Sequence, residues 1–418
     1  MNSGQTVFAQ LMQFVPWTSF SRIVARYEGD LRTRRLNCAE HFRILAFAQL
    51  SWRESLRDIE LTLGANEHKL YAMGVRHKVH RSTLADANET RNWRIWQELA
   101  LLLLSRARKC NHRIANTTSQ PIVTTTSPWP DTQRNTDGEQ DPSLEELATI
   151  YALDSTTIDL CLSLFNWARF DRLRASVKLH TLLDLRSAVP AFVHVSPGTL
   201  NDIKALSLLQ FEPGALYVMD RGYVDFNALH SIHLAQAFFV IRAKSNLLFQ
   251  RCYSAQIAQS NKHLGLKCDQ TITMIGALTA TKYPSALRRI RFKDPLTQKS
   301  FVYLTNNTTL PALSICQLYK RRWQIELFFK WSKQHLRIKQ FLCRSENAVK
   351  TQIWCAMATY ALVATAKYQL RLDASLYAIL QILSVSLFEK TQLSCAFAGS
   401  RSTTEHPDHA NQLNLFGF

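Results

Sequence analysis

Four side chains in the segment YKRRWQIELFFKWSK, residues 319–333, have the types and spacing of a working surface: Tyr319, Arg322, Glu326 and Lys333. They step by three, four and seven residues, so at about 100° per residue they fall in a strip roughly 60° wide on a single α-helix. Trp323, Ile325, Leu327, Phe328, Phe329 and Trp331 stand around the rest of that helix and are expected to be buried on more than one side. Glu326 then sits at the edge of a core, where a carboxylate requires a partner or a metal. An amphipathic helix with a solvated charged face and an internal Arg322/Glu326 pair has the same pattern, so the helix alone assigns no function.

Two aspartates give the strip a context. In IYALDSTTID, Asp154 follows the apolar start of a strand and precedes a hydroxyl-rich run. Asp159 lies an odd number of residues further on, so in a regular strand it points to the opposite face and cannot share a metal with Asp154. Asp220 ends the short apolar run ALYVMD and is followed by Arg221 and Gly222, a strand-end turn of the kind where ligands collect in open α/β sheets. Singly, Asp220 reads equally as a strand-end cap and Asp154 as an edge charge. With Glu326 on a later helix, the set places three carboxylates around one end of a sheet, able to hold two divalent cations for phosphoryl transfer. Hard carboxylate oxygens suit Mg²⁺ or Mn²⁺ and not zinc.

The elements that must position these residues can be read from periodicity. Residues 149–162, 176–185 and 188–195 alternate as strands, with a hairpin at Arg186 and Ser187. Helix at 201–209, a buried strand at 215–220, helix at 226–235 and a strand at 237–242 follow, giving β-β-β-α-β-α-β, the element order of a ribonuclease H-like domain. Strand-forming patches within residues 245–310 interrupt this rhythm as a β-rich insertion, after which a helix starts beyond Pro311. The expected fold is therefore α/β: a ribonuclease H-like core in two parts, 147–244 and 311–390, around the insertion 245–310, with a helical N-terminal domain at 1–113. A Thr/Ser/Pro-rich stretch at 114–146 reads as a linker or surface loop, and 391–418 as a flexible tail.

The N-terminal region is helical and basic. Asn37 and Glu40 make a capping box for a helix carrying Phe42, Leu45 and Leu50, and Gly64 is placed to close the next one. Beyond Gly74, Arg76, Lys78 and Arg81 gather before an expected N-cap at Ser82, a basic helix start suited to DNA phosphates in the manner of a helix-turn-helix; a merely solvated basic face is the alternative. Over all 418 residues, 50 Lys+Arg against 32 Asp+Glu leave a net charge of +18, which favours a polyanionic partner. Nine scattered cysteines form no CxxC or Cys/His cluster, which argues for free thiols in a reducing compartment and against structural zinc. The first residues do not read as a signal peptide, and no apolar run reaches the roughly 18 residues of a membrane span, so a cytoplasmic protein is expected.

Asp154 in YALDSTTIDL, Asp220 in YVMDRGYVDF and the spacing Tyr319-x2-Arg322-x3-Glu326-x6-Lys333 resemble the IS-four group of bacterial insertion-sequence DDE transposases, with its Y-R-E-K signature. The resemblance implies that Asp154, Asp220 and Glu326 ligand two Mg²⁺ or Mn²⁺ ions per active site, while Tyr319, Arg322 and Lys333 hold phosphates at the transposon end. Those types suit such a role, since Arg grips a phosphate bidentately, Lys acts as a point charge, and Tyr donates one hydrogen bond. The implied reaction is hydrolysis at terminal inverted repeats of double-stranded DNA, then attack of the freed 3′-hydroxyl on target DNA, by a homodimer on paired ends in the bacterial nucleoid. Some relatives cut the second strand through a hairpin and hold a flipped base on an aromatic residue of the insertion; here there is no Trp between Asp220 and Trp323, only Phe and Tyr such as Tyr253 and Tyr283. Gln412, Leu413, Leu415 and Phe416 resemble a peptide that docks on the bacterial sliding clamp, with folding back on the protein's own surface as the alternative. A ribonuclease H-like nuclease without strand transfer, and a DNA-binding repressor or architectural protein without catalysis, are the rival readings.

Overall fold

The structure, a computed structural model, describes residues 4–117, 149–171, 174–335 and 341–397. The clamp-like residues Gln412, Leu413, Leu415 and Phe416, and most of the expected linker and tail, lie outside these. The chain opens with helices α1 (Val7–Met12), α2 (Trp17–Arg26), α3 (Cys38–Leu50), α4 (Leu56–Ala65), α5 (Glu67–Met73), α6 (Arg81–Thr90) and α7 (Arg94–Thr117). Asn37 caps α3, its side chain accepting the Glu40 N–H at 2.8 Å, but the box is only half made. The Glu40 carboxylate is buried and instead accepts the Arg76 N–H at 3.2 Å, tying the basic turn to α3. Gly64 lies inside α4, which ends at Ala65, whereas Gly74 ends α5 in the left-handed region, φ 76°, where a Cβ is disfavoured. The next helix is capped at His80 rather than Ser82. It stops at Thr90, with Arg91 extended, before α7 runs past the expected boundary at 113 to Thr117.

The sheet then builds from β1 (Ile150–Leu160), β2 (Ala175–Asp184) and β3 (Val189–Pro197), paired antiparallel, the turn between β2 and β3 falling at Arg186 and Ser187 as expected. Short α8 (Asp202–Leu206), β4 (Leu216–Met219), α9 (Phe226–Leu234) and β5 (Phe238–Arg242) follow, β4 lying parallel to both β1 and β5. The insertion contributes β6 (Phe249–Ser254), α10 (Gln259–His263), β7 (Leu266–Met274), α11 (Ala277–Lys282), β8 (Leu287–Lys293) and β9 (Ser300–Thr305). Its strands join the same sheet through antiparallel pairing of β9 with β5, so a nine-stranded sheet runs β3-β2-β1-β4-β5-β9-β8-β7-β6. Helices α12 (Ala312–Arg321), α13 (Trp323–His335), α14 (Glu346–Gln369), α15 (Leu376–Ser386) and α16 (Leu393–Ala396) complete the described chain.

Strand alternation decides which helices cover which face. Ile150, Ala152 and Ile158 of β1, Leu216 and Val218 of β4 and Val240 of β5 share a core with α12, α13 and α14. Tyr151 and Leu153, Tyr217 and Met219, Phe239 and Ile241 point the other way, into a second core with Leu206 of α8 and Leu229 and Ile232 of α9. The first core also takes in Phe8, Phe42, Trp96 and Leu103, so the N-terminal helices pack into the layer that covers the sheet, α7 lying along α14. Asn347 stitches them further, donating to the Asn88 carbonyl at 2.8 Å and to that of Arg91 at 2.6 Å. Among the described residues no helix is long and apolar enough to cross a membrane.

Candidate active site

The last parallel pair between β1 and β4 is Leu153 with Met219, so Asp154 and Asp220 are each the next residue along. They have the parity of Ala152 and Val218, which places both carboxylates on the face covered by α12 and α13. β1 continues, paired with β2 alone, and Asp159 has the opposite parity and is exposed. Asp220 opens a 3-10 turn, Arg221–Tyr223, and its Oδ1 accepts the Tyr319 hydroxyl at 3.0 Å.

Arg322 joins the other two carboxylates. Its Nη1 donates to Asp154 Oδ2 at 2.8 Å and its Nη2 to Glu326 Oε1. Lys333 Nζ donates to the Thr157 carbonyl of β1 at 2.8 Å. The two aspartates and the Tyr319, Arg322, Glu326 and Lys333 side chains therefore converge on β1 and the end of β4, although the expected single helix is broken. Arg322 N–H bonds to the Tyr319 carbonyl at 3.1 Å and Ile325 N–H to that of Arg322 at 3.0 Å, a tighter i to i+3 step between α12 and α13. A second expectation also fails: Trp323 is 57% exposed, while Ile325, Phe328 and Phe329 are buried as expected.

Burial pushes the Asp154 carboxyl up to about 6; the Ser155 N–H and the Arg322 guanidinium oppose this, and the charges of Glu326 and Asp220 add to it. Burial likewise raises the Tyr319 hydroxyl, with the Asp220 charge adding to the shift. For Arg322 burial acts against the charged form, yet Asp154, Tyr319 and Glu326 outweigh it and its pKa is raised. The sign for Asp154 gives an expected result. A carboxyl whose folded pKa lies above its unfolded value binds its proton more tightly when folded, so stability is lost as pH rises from about 4 to about 6. Without divalent metal, Asp154→Asn should gain on the wild type across that window, by no more than about 3 kcal/mol at pH 7. Parallel urea titrations at pH 4, 5, 6 and 7 measure the difference, and a gap that does not widen with pH contradicts it.

The sequence pointed to Asp154 but not to what holds it. Ser155 N–H donates to Asp154 Oδ1 at 2.8 Å, while Ser155 Oγ on the opposite face donates to Asp202 Oδ1 at 2.6 Å. Lys178 Nζ stands 3.1 Å from the same Asp202 oxygen. No local pattern marks Asp202, which begins a five-residue helix. Arg76, Lys78 and Arg81 are exposed at the turn into α6, away from the acidic centre in sequence and on a different element. In the insertion Tyr253 is 64% exposed on the sheet-edge strand β6, whereas Tyr283 is buried and hydrogen-bonded to His233 at 2.8 Å, so it is not available to a base.

The donor types fit a hard divalent cation: three carboxylates, two of them on one sheet face and the third bridged to Asp154 through one guanidinium. As the side chains stand, no group of three or more His, Cys, Asp or Glu is gathered to hold an ion among the described residues. Arg322 supplies the positive charge between Asp154 and Glu326.

Comparison with known proteins bears on the same residues. The family described as Transposase DDE domain matches residues 145–362, which include Asp154, Asp220, Glu326 and most of the sheet, and a domain of unknown function matches residues 3–76. A Sinorhizobium fredii protein provisionally named transposase y4zB is 32% identical over 63% of this chain and 73% of its own length. A Geobacillus stearothermophilus protein, provisionally named as the transposase for insertion sequence element IS5377, is 27% identical over 86% of this chain and 84% of its own. One from Synechocystis sp., provisionally named for element IS4SA, is 23% identical over 51% of this chain and 59% of its own. With just over half its length matched by the family, and Asp154, Asp220 and Glu326 all within the matched residues, the chain belongs to the DDE transposases of bacterial insertion sequences.

Proposed function

We propose that this transposase cleaves DNA at the terminal inverted repeats of its insertion sequence and joins the freed 3′ ends to target DNA, using Asp154, Asp220 and Glu326 to hold two Mg²⁺ or Mn²⁺ ions. The observation that carries the reading is the placement of Asp154 and Asp220 on one face, each one residue beyond the last parallel pair of β1 with β4, with Glu326 linked to Asp154 through Arg322. The strand order β3-β2-β1-β4-β5, three antiparallel strands followed by two parallel ones, supports a ribonuclease H-like core. The Tyr319, Arg322, Glu326 and Lys333 spacing, together with the IS4SA name of one relative, supports the IS-four group.

When bound, the ions supply activation of the attacking water or 3′-hydroxyl and stabilise charge on the leaving oxygen. The chain's own residues do the rest. Ser155 N–H and the Tyr319 hydroxyl fix the orientation of the Asp154 and Asp220 carboxylates. Arg322 and Lys333 stand beside them with the charge to grip the phosphates of a cut end. Arg76, Lys78 and Arg81 take duplex phosphates in the N-terminal region. A homodimer pairing two ends in the nucleoid, and docking of Gln412, Leu413, Leu415 and Phe416 on the sliding clamp, complete the proposal.

A strand-transfer assay tests it: pre-cut element ends, a supercoiled target plasmid and Mg²⁺ should yield covalently joined products. Cleavage with no joined product under any divalent metal would favour the nuclease reading, and DNA binding indifferent to Mg²⁺ without cleavage the repressor. For the N-terminal residues, changing Arg76, Lys78 and Arg81 together to Ala should flatten the slope of log K against log salt by about 2 to 3. An unchanged slope in filter-binding titrations removes them from the DNA surface.

A further inference from the structure

Both oxygens of Asp154 and one each of Asp220 and Glu326 are already engaged. Arg322 takes Asp154 Oδ2 through Nη1 and Glu326 Oε1 through Nη2, while Ser155 N–H and the Tyr319 hydroxyl take Asp154 Oδ1 and Asp220 Oδ1. Two of these donors are neutral and cost a cation little. The guanidinium is different, because its charge and its two-pronged bridge fall between the two carboxylates that a shared ion would have to join. At the same time its third kind of donor, Nε, is buried and has no hydrogen-bond partner. A guanidinium bound to two carboxylates by its ends and left with an unpaired inner donor has a use for a further oxyanion, and a tetrahedral phosphate offers oxygens in the geometry that a guanidinium fork prefers.

We propose that Arg322 latches the centre: in the DNA-free protein its guanidinium holds the place of the divalent cation between Asp154 and Glu326, and a DNA phosphate opens the site by drawing it away. The proposal rests on the reading of Asp154, Asp220 and Glu326 as cation ligands. Its consequence is linkage. A ligand that pulls Arg322 off the carboxylates raises cation affinity, and by reciprocity the cation raises the affinity for that ligand by the same factor. A metal-loaded centre is then disfavoured until a DNA phosphate is held.

The test is Mn²⁺ binding to the whole chain without DNA, followed by the electron paramagnetic resonance signal of free Mn²⁺. Removing charge alone would raise cation affinity, so the deciding variant is Arg322→Lys, which keeps the charge but has one compact ammonium in place of the fork. The latch predicts Mn²⁺ binding tighter than wild type by about fivefold or more in Arg322→Lys and more again in Arg322→Gln, within the usual range of such couplings. Sodium sulfate, compared with chloride at equal ionic strength, should tighten Mn²⁺ binding to the wild type and leave Arg322→Gln unmoved. Equal affinity in wild type and Arg322→Lys overturns the latch, as does a sulfate effect that survives in Arg322→Gln. Melting curves check that each variant folds, with the sulfate comparison between wild type and Arg322→Gln deciding if Arg322→Lys does not. Glu326→Gln separates the two layers of the argument: Mn²⁺ binding lost in that variant keeps the carboxylate site while the latch is judged, whereas binding unaffected by it, or no binding by any form, overturns the site and the latch together.

Discussion

Phe328→Ala is expected to destabilise the protein by about 3 to 5 kcal/mol, the usual cost of emptying a buried aromatic site. Phe328 is 0% exposed on α13 and meets Tyr360 of α14 edge-on, ring centroids 5.5 Å apart, with Phe329 at 5.8 Å. Dispersion contacts are lost and a cavity opens between the helix that carries Glu326 and the helix at the centre of the core. The effect should therefore reach activity as well: α13 is fixed by Ile325, Phe328 and Phe329 on one side, and loosening it lets the Glu326 carboxylate drift from the sheet end. Urea titration at neutral pH measures the first effect as a lowered midpoint. Lys330→Ala, an exposed position on the same helix, should stay within about 0.5 kcal/mol of wild type. A midpoint for Phe328→Ala as high as that of the control would mean that α13 is not held through this contact.

How far the sequence revealed this arrangement depended on whether the deciding interaction was local. Asp154 and Asp220 were legible because each follows an apolar strand-forming run, Asp154 inside its strand and Asp220 at the end of its own, and two-residue alternation gives the face. Asn37 was legible as a cap because its partner is three residues away, but the other half of its box was not: Glu40 is taken by the Arg76 N–H, 36 residues distant, and nothing nearby reports that competition. Helical periodicity placed Tyr319, Arg322, Glu326 and Lys333 together, yet it is blind to one tighter step, so the break at Arg322 and the exposure of Trp323 were missed. Strand-forming patches of the insertion were legible at 271–275, 287–292 and 301–305, and β6 was not. Their membership of the main sheet was not, because it depends on β9 finding β5 across some sixty residues, a choice made by pairing and burial. The hold of Asp202 on Ser155 belongs to the same class, a contact between elements with no trace in either segment.

The largest functional effect belongs to Glu326→Gln. The substitution nearly keeps volume and can still accept a hydrogen bond from Arg322, but it removes the charge that the proposed centre uses to bind a cation, and α13 remains packed through residues the change does not touch. If Glu326 ligates a metal as proposed, its loss should lower cleavage by on the order of 10³-fold or more, equivalent to about 4 kcal/mol of transition-state stabilisation. Stability should change far less than in Phe328→Ala, because Glu326 is partly exposed and its side chain reaches the site rather than the core. The direct measurement is nicking of a supercoiled plasmid carrying the element's ends, with Mg²⁺ or Mn²⁺, for wild type and Glu326→Gln side by side. Metal-dependent nicking at the ends by the wild type, absent in the variant at equal DNA binding, is the predicted result; equal nicking by both proteins would return Glu326 to the charged face of an ordinary helix and contradict a three-carboxylate centre.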